Sequence, residues 1–274
     1  MRFPAVSGSF YTSSVMALRA EVREFLSSAR KQVECRERLA IVCPHAGYLY
    51  SGKCAAFSYA ACSNFGKKDL TAIIIGPNHT GLGTPISVSF DDWKTPIGEI
   101  RADVELAGAI VKAGKIARRD ELAHLREHSV EVQLPFLQES SPNASFVGIC
   151  MGVQELPSAR ELGKAIFDAV RKLKRNAIVV ASSDFTHYEP ADSARKKDAR
   201  AIERLVGLDE AGFERVVREG DLSICGHGPI SAAMYYARLA GAGKCELLKY
   251  ANSGEATGDN ASVVAYASLA ISKN

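Results

Sequence analysis

The stretch Ile41-Val42-Cys43-Pro44-His45-Ala46-Gly47-Tyr48 is an apolar, strand-prone run that breaks at a proline and delivers a histidine just past its carboxyl edge. The pattern recurs in Thr71-Ala72-Ile73-Ile74-Ile75-Gly76-Pro77-Asn78-His79 and again in Asn176-Ala177-Ile178-Val179-Val180-Ala181-Ser182-Ser183-Asp184-Phe185-Thr186-His187. Apolar runs without alternation suit strands covered on both faces, as in the centre of a parallel sheet. Sheets of that kind bind ligands beyond the carboxyl ends of their strands, so the repeat places His45, His79 and His187 at one shared end.

The segments around these strands complete an α/β plan. Helices are expected from Ser14 to Arg30, capped by Ser13 or Ser14, and over Cys54 to Ala61, Asp103 to Ala113, Ser158 to Leu173, Ala191 to Val206, Glu210 to Glu219 and Ile230 to Leu239. Pro44 to Gly52 reads as a loop, and Ala144 to Cys150 as a further strand. Ile86 to Phe90 alternates and predicts a half-exposed strand, whereas Trp93 to Ile100 reads as an extended excursion. Glu127 to Pro135 is polar-rich, is expected to hold a short solvent-exposed helix and ends at a proline. With Cys245 to Tyr250 and Ser262 to Ile271 as closing strands, the sheet is expected to be mixed but largely parallel, flanked by helices, in one domain over residues 1–274.

Composition excludes several classes of function. The 274 residues carry a net charge of +3 spread along the chain, which does not suggest a nucleic-acid partner. No apolar run approaches the roughly 20 residues of a membrane span, and the Pro, Ser and Gly near the amino terminus interrupt any export signal. Seven cysteines at irregular spacing, with no CxxC pair, suggest reduced thiols and a cytoplasmic setting.

Imidazole is the commonest side-chain ligand for first-row metals, and His45 with His79 forms the natural pair. Asp184, Cys225 and Glu127 are candidate third donors. A carboxylate gives the facial triad of non-heme iron(II) enzymes, whereas a thiolate turns the site toward copper(I), zinc or thiolate-ligated iron. Cys225 precedes a helix opened by Gly226-His227-Gly228-Pro229, where a helix dipole would lower its pKa. Asp184 and His187 share one loop, so the carboxylate could orient an imidazole acting as general acid or base. His124 and His227 read as supporting or surface groups, and the roles of His128 and Glu131 stay open.

Seven segments in order resemble the Memo family, also called AmmeMemoRadiSam system protein B, whose fold is similar to that of the class III extradiol ring-cleaving dioxygenases. They are Pro4 to Tyr11, Pro44 to Tyr48, Gly76 to His79, Glu127 to Glu131, Ser182 to His187, Cys225 to Ile230 and Gly258 to Val264. The resemblance implies that His45 and His79 are metal ligands, that Cys225 stands where the dioxygenases place a carboxylate ligand, and that His187 with Asp184 occupies their acid-base position. It implies an iron or copper cofactor, with zinc as a further candidate. Two local departures are Phe10, where tryptophan is common, and His227-Gly228 after Cys225-Gly226, which invites His227 toward the metal.

These readings together point to a redox metalloprotein or metal-dependent oxidoreductase acting on an unidentified small molecule or peptide. An extradiol-type dioxygenase and a non-catalytic peptide- or protein-binding module are the alternatives. Self-association into a homo-oligomer is left open.

Overall fold

The computed structural model describes residues 1–274. Its strands are β1 (Ala40–Cys43), β2 (Leu70–Pro77), β3 (Ile86–Val88), β4 (Trp93–Thr95), β5 (Gly98–Ile100), β6 (Ala117–Arg119), β7 (Ser145–Met151), β8 (Asn176–Ser182), β9 (His187–Glu189), β10 (Lys244–Asn252) and β11 (Val263–Ser272). The helices are α1 (Val15–Arg30), α2 (Tyr48–Ala60), α3 (Val104–Ala113), α4 (Leu134–Ser140), α5 (Leu156–Leu173), α6 (Ala191–Val206), α7 (Glu210–Glu219), α8 (His227–Leu239) and α9 (Gly254–Thr257).

One sheet runs in the order β10-β11-β1-β8-β2-β7-β3-β6, with β9 paired to β11, while β4 and β5 form a separate hairpin. Its centre, β1-β8-β2-β7, is parallel, and the flanking pairs β1-β11, β10-β11 and β3-β7 are antiparallel. The fold is therefore the expected mixed, largely parallel α/β sheet of the dioxygenase-like class.

Alternate residues of each central strand feed two cores. Ile41, Ile74 and Val180 join the cluster that includes α1 and α2, whereas Val42, Ile73 and Val179 join the one that includes α5 and α8. With apolar layers on both faces no strand position may stay polar, which is why these strands read as continuous apolar runs. No helix is long and apolar enough to cross a membrane.

Four local expectations change. Helix α2 starts at Tyr48, inside the expected loop, because Tyr48 N–H finds the carbonyl of Phe10 at 2.7 Å and the amino-terminal segment thereby supports its first turn. Strand β3 is buried throughout: the Ser87 hydroxyl donates to the Thr84 carbonyl at 3.1 Å, and just past the strand Ser89 Oγ donates to Glu121 at 2.6 Å, so the hydroxyls expected to face solvent are satisfied inside the protein. Pro135 does not end a helix but lies in the first turn of α4, where its missing N–H costs nothing. Glu127 and Glu131, expected on an exposed helix, are both fully buried because the amino-terminal segment and the sheet end cover them.

Candidate metal centre

Strand β8 lies between β1 and β2, so the loops leaving β1 and β2 emerge on either side of the end of β8. His45 and His79 each sit two residues beyond their strand. Ser182, the last residue of β8, donates its hydroxyl to the carbonyl of Ser129 at 2.7 Å and accepts from Gln133 Nε2 at 2.9 Å. Its oxygen is then an acceptor for His45 Nδ1, 2.9 Å away, and this network assigns the proton to Nδ1 and leaves Nε2 bare.

Glu127 plays the same part for His79. Its carboxylate takes the His79 ring Nδ1–H at 2.9 Å and the His79 backbone N–H at 2.6 Å, together with the backbone N–H groups of His128 and Ser129. His79 Nε2 is again the free nitrogen. His128 stacks on His79 with ring centroids 4.6 Å apart, packs against Phe10 at 4.7 Å, and has its Nδ1 3.5 Å from Glu127. One donor atom from each of His45, His79 and His128 lies within 4.8 Å of the others.

Electrostatics favours the neutral donor at His45 and His128. Burial, then repulsion from His128 and His79, holds His45 well below the ordinary imidazole range. Burial likewise lowers His128 to about 4. For His79 burial acts downward but is outweighed by Glu127, so its pKa rises. Burial would raise Glu127, yet His79 and the backbone N–H groups outweigh it and keep the carboxylate ionised.

Cys225 lies beside the cluster, its Sγ 3.3 Å from His45 Nε2 and 3.3 Å from the Asp184 N–H that donates to it. Burial, with Asp184 nearby, pushes the thiol up, opposite to the expected helix-dipole effect. Two donors at the start of α8 are already taken: Gly226 N–H goes to Ser183 Oγ and Gly228 N–H to Gln154 Oε1, both at 2.9 Å.

Asp184 and His187 reach the same cavity but are not hydrogen-bonded to one another. Asp184 accepts the His45 N–H at 2.8 Å, and burial outweighs this bond to raise the carboxyl to about 6. His187 donates Nδ1–H to the carbonyl of Ser223 at 2.8 Å, so Ser223, not Asp184, sets its tautomer and leaves Nε2 as the accepting nitrogen. The cavity, about 700 Å³, is lined by His45, His79, His128, Asp184 and His187.

The remaining histidines stay away. His227 pairs with Glu214 at 3.0 Å beside a different cavity, so it does not approach the cluster, and His124 is buried against Ser87 and Trp93. Glu131 accepts from Tyr11 Oη and from the N–H groups of Ala5 and Val6 and pairs with Arg2, tying down the segment that carries Phe10. Sequence reasoning left His128 without a role, set Glu131 on a solvated face, and offered Glu127 either there or as a third donor, whereas its carboxylate is spent on His79 and the N–H groups of His128 and Ser129. The available signal was their interleaving with Val130, Val132 and Leu134, which a solvated face does not need.

A family model for Memo-like protein matches residues 2–270. The chain belongs to the Memo family. It is 42% identical over 277 residues to a MEMO1 family protein of Methanopyrus kandleri, covering 98% of each chain. To a MEMO1 family protein of Methanosarcina barkeri it is 45% identical over 275 residues, covering 99% of this chain and 100% of the other. The crystal structure of an uncharacterized Escherichia coli K12 protein shares the fold with a TM-score of 0.56 at 13% identity, covering 83% of this chain and 98% of that one. In Memo-family terms, the matched region contains every group of the cluster: His45, His79, His128, Asp184, His187 and Cys225.

Proposed function

We propose that this Memo-family protein is a metal-dependent redox protein that holds iron or copper through His45 and His79, with Cys225 Sγ and His128 flanking them as further donors. The observation that carries the reading is the convergence of three imidazoles within 4.8 Å. Two of them are fixed from behind at Nδ1, by Ser182 and Glu127, so that Nε2 is left to donate. Supporting bonds of this kind orient ligating histidines and raise their basicity. The set fits the proposed ions, since imidazole suits iron, copper and zinc, and a thiol releases its proton when it ligates, however high its pKa in the metal-free state.

A bound iron or copper supplies electron transfer and polarises a coordinated substrate atom. The chain supplies the rest. His187 Nε2 takes a proton from a ligand in the cavity and returns it, its tautomer held by Ser223. Asp184 fixes the His45 loop through the backbone.

Anaerobic titration with ferrous and cuprous ions tests the assignment. His45→Ala and His79→Ala are expected to lose at least 100-fold in affinity, and Cys225→Ser and His128→Ala at least tenfold; unchanged affinity in His45→Ala and His79→Ala overturns it. The dioxygenase alternative draws on the cavity of about 700 Å³, ample for an aromatic ring. Oxygen uptake by the iron-loaded protein over a panel of ring diols separates the two readings, because only the dioxygenase consumes oxygen with ring opening.

A further inference from the structure

The cavity over the cluster combines imidazoles at its floor with a carboxylate and aromatic rings toward its rim. Among the residues lining it there is no lysine or arginine, and its carboxylates are Asp184 and Asp259. Asp184 is committed to the His45 backbone. Asp259 is exposed at the rim and uses Oδ1 to accept the Ala261 N–H at 2.8 Å. Phe10, Tyr50, Tyr188 and Tyr266 supply the aromatic part of the wall.

Tyr188 is placed there at a conformational cost. Its φ of +57° is left-handed, and it sits where the pairing of β9 with β11 shifts register between Val263 and Val264. A bulge at such a point re-aims a side chain, and backbone held in a sparsely populated region clusters at functional sites. The result is a tyrosine 78% exposed at the mouth of the cavity, its ring centroid 5.9 Å from that of His187. A ring this exposed gains little from packing in the free protein.

We propose that the ligand of this pocket carries an organic ammonium group, which sits at the rim beside Asp259 and the exposed rings of Tyr50 and Tyr188 while the other end of the ligand reaches the metal. The metal-bound end rests on the proposed function; the ammonium end rests on the lining alone. Aromatic faces and a carboxylate both attract a cation, whereas a second anionic group at the same place meets Asp259 and finds no basic side chain. The Nδ1–H groups of His45, His79 and His187 are already spent on Ser182, Glu127 and Ser223, so they do not pair with a second anionic group.

Three probes with a common carboxylate for the metal end and different far ends test the idea on the metal-loaded protein: 4-(aminomethyl)benzoate, p-toluate and terephthalate. Calorimetric titration is expected to rank them in that order, with at least a tenfold gap between first and last. Asp259→Asn, which keeps an acceptor for Ala261, should narrow the gap at least threefold, and Tyr188→Ala should weaken the ammonium probe at least threefold. Terephthalate binding as well as or better than the ammonium probe overturns the proposal, as does absence of any preference, including failure of all three to bind. Metal content is measured on the same samples and on the His45→Ala/His79→Ala double variant. A double variant that keeps its metal sinks the metal assignment, while the order of the probes still judges the ammonium site.

Discussion

Glu127 shows how much one side chain can decide. Its carboxylate fixes the His79 ring and three backbone N–H groups, so a change here acts on the cluster without removing a donor. Glu127→Gln should weaken metal binding by about 10–100-fold in anaerobic titration, the usual penalty for losing a group that orients a ligating histidine. Glu131 acts one step further out, through the fully buried pair with Arg2. Removing one partner of such a pair leaves an uncompensated charge, and Glu131→Ala is expected to cost about 3–5 kcal/mol in urea denaturation. At this scale the histidines that follow strands were legible, because strand ends are visible in sequence. The burial of Glu127 and Glu131 was not, since their partners His79, Tyr11 and Arg2 lie 48, 120 and 129 positions away.

Among the elements, the approach of α5 to α8 is set by Gly163. A Cβ at this position would lie 2.6 Å from the Ala232 carbonyl and 3.1 Å from the Tyr236 backbone nitrogen, and backbone atoms of a packed helix cannot yield as a flexible side chain can. Gly163→Ala should therefore destabilise by about 1–3 kcal/mol, overriding the gain in helix propensity of about 1 kcal/mol. A thermal melt of the variant checks the sign. Most elements were readable at this scale: α6 and α7 have the predicted bounds, and α1 begins at its Ser14 cap. Strands β6 and β9, three residues each, carry too little pattern to be read and exist through their pairing with β3 and β11.

For the whole molecule, buried histidines make the metal-free protein sensitive to acid. His45 titrates well below its ordinary range, and His124 and His128 at about 4, whereas all three protonate near 6.5 when unfolded. The stability they contribute is present above pH 6.5 and is lost as pH falls toward 4. Asp184, raised to about 6, and Asp198, also raised, act in the opposite direction, because the folded protein holds their protons while the unfolded chain releases them. Near pH 5.5 the three histidines outweigh the two carboxyls, so unfolding takes up protons net and stability falls as the pH is lowered. Urea denaturation of metal-free protein at pH 5 and pH 6 measures the slope, and His124→Gln, remote from the cluster, should reduce it by about one proton's worth, about 1.4 kcal/mol per pH unit.

The sequence by itself determined the sheet and one end of it, because apolar runs covered on both faces and histidines just past them are local facts, visible residue by residue. Seven ordered segments likewise pointed to the Memo family. Tertiary structure alone decided that His128 joins His45 and His79, that Ser223 rather than Asp184 holds His187, and that Cys225 meets His45 instead of a row of free helix amides. The physical reason is distance along the chain: a hydrogen bond or a buried charge depends on which remote segment arrives beside it, and periodicity says nothing of that.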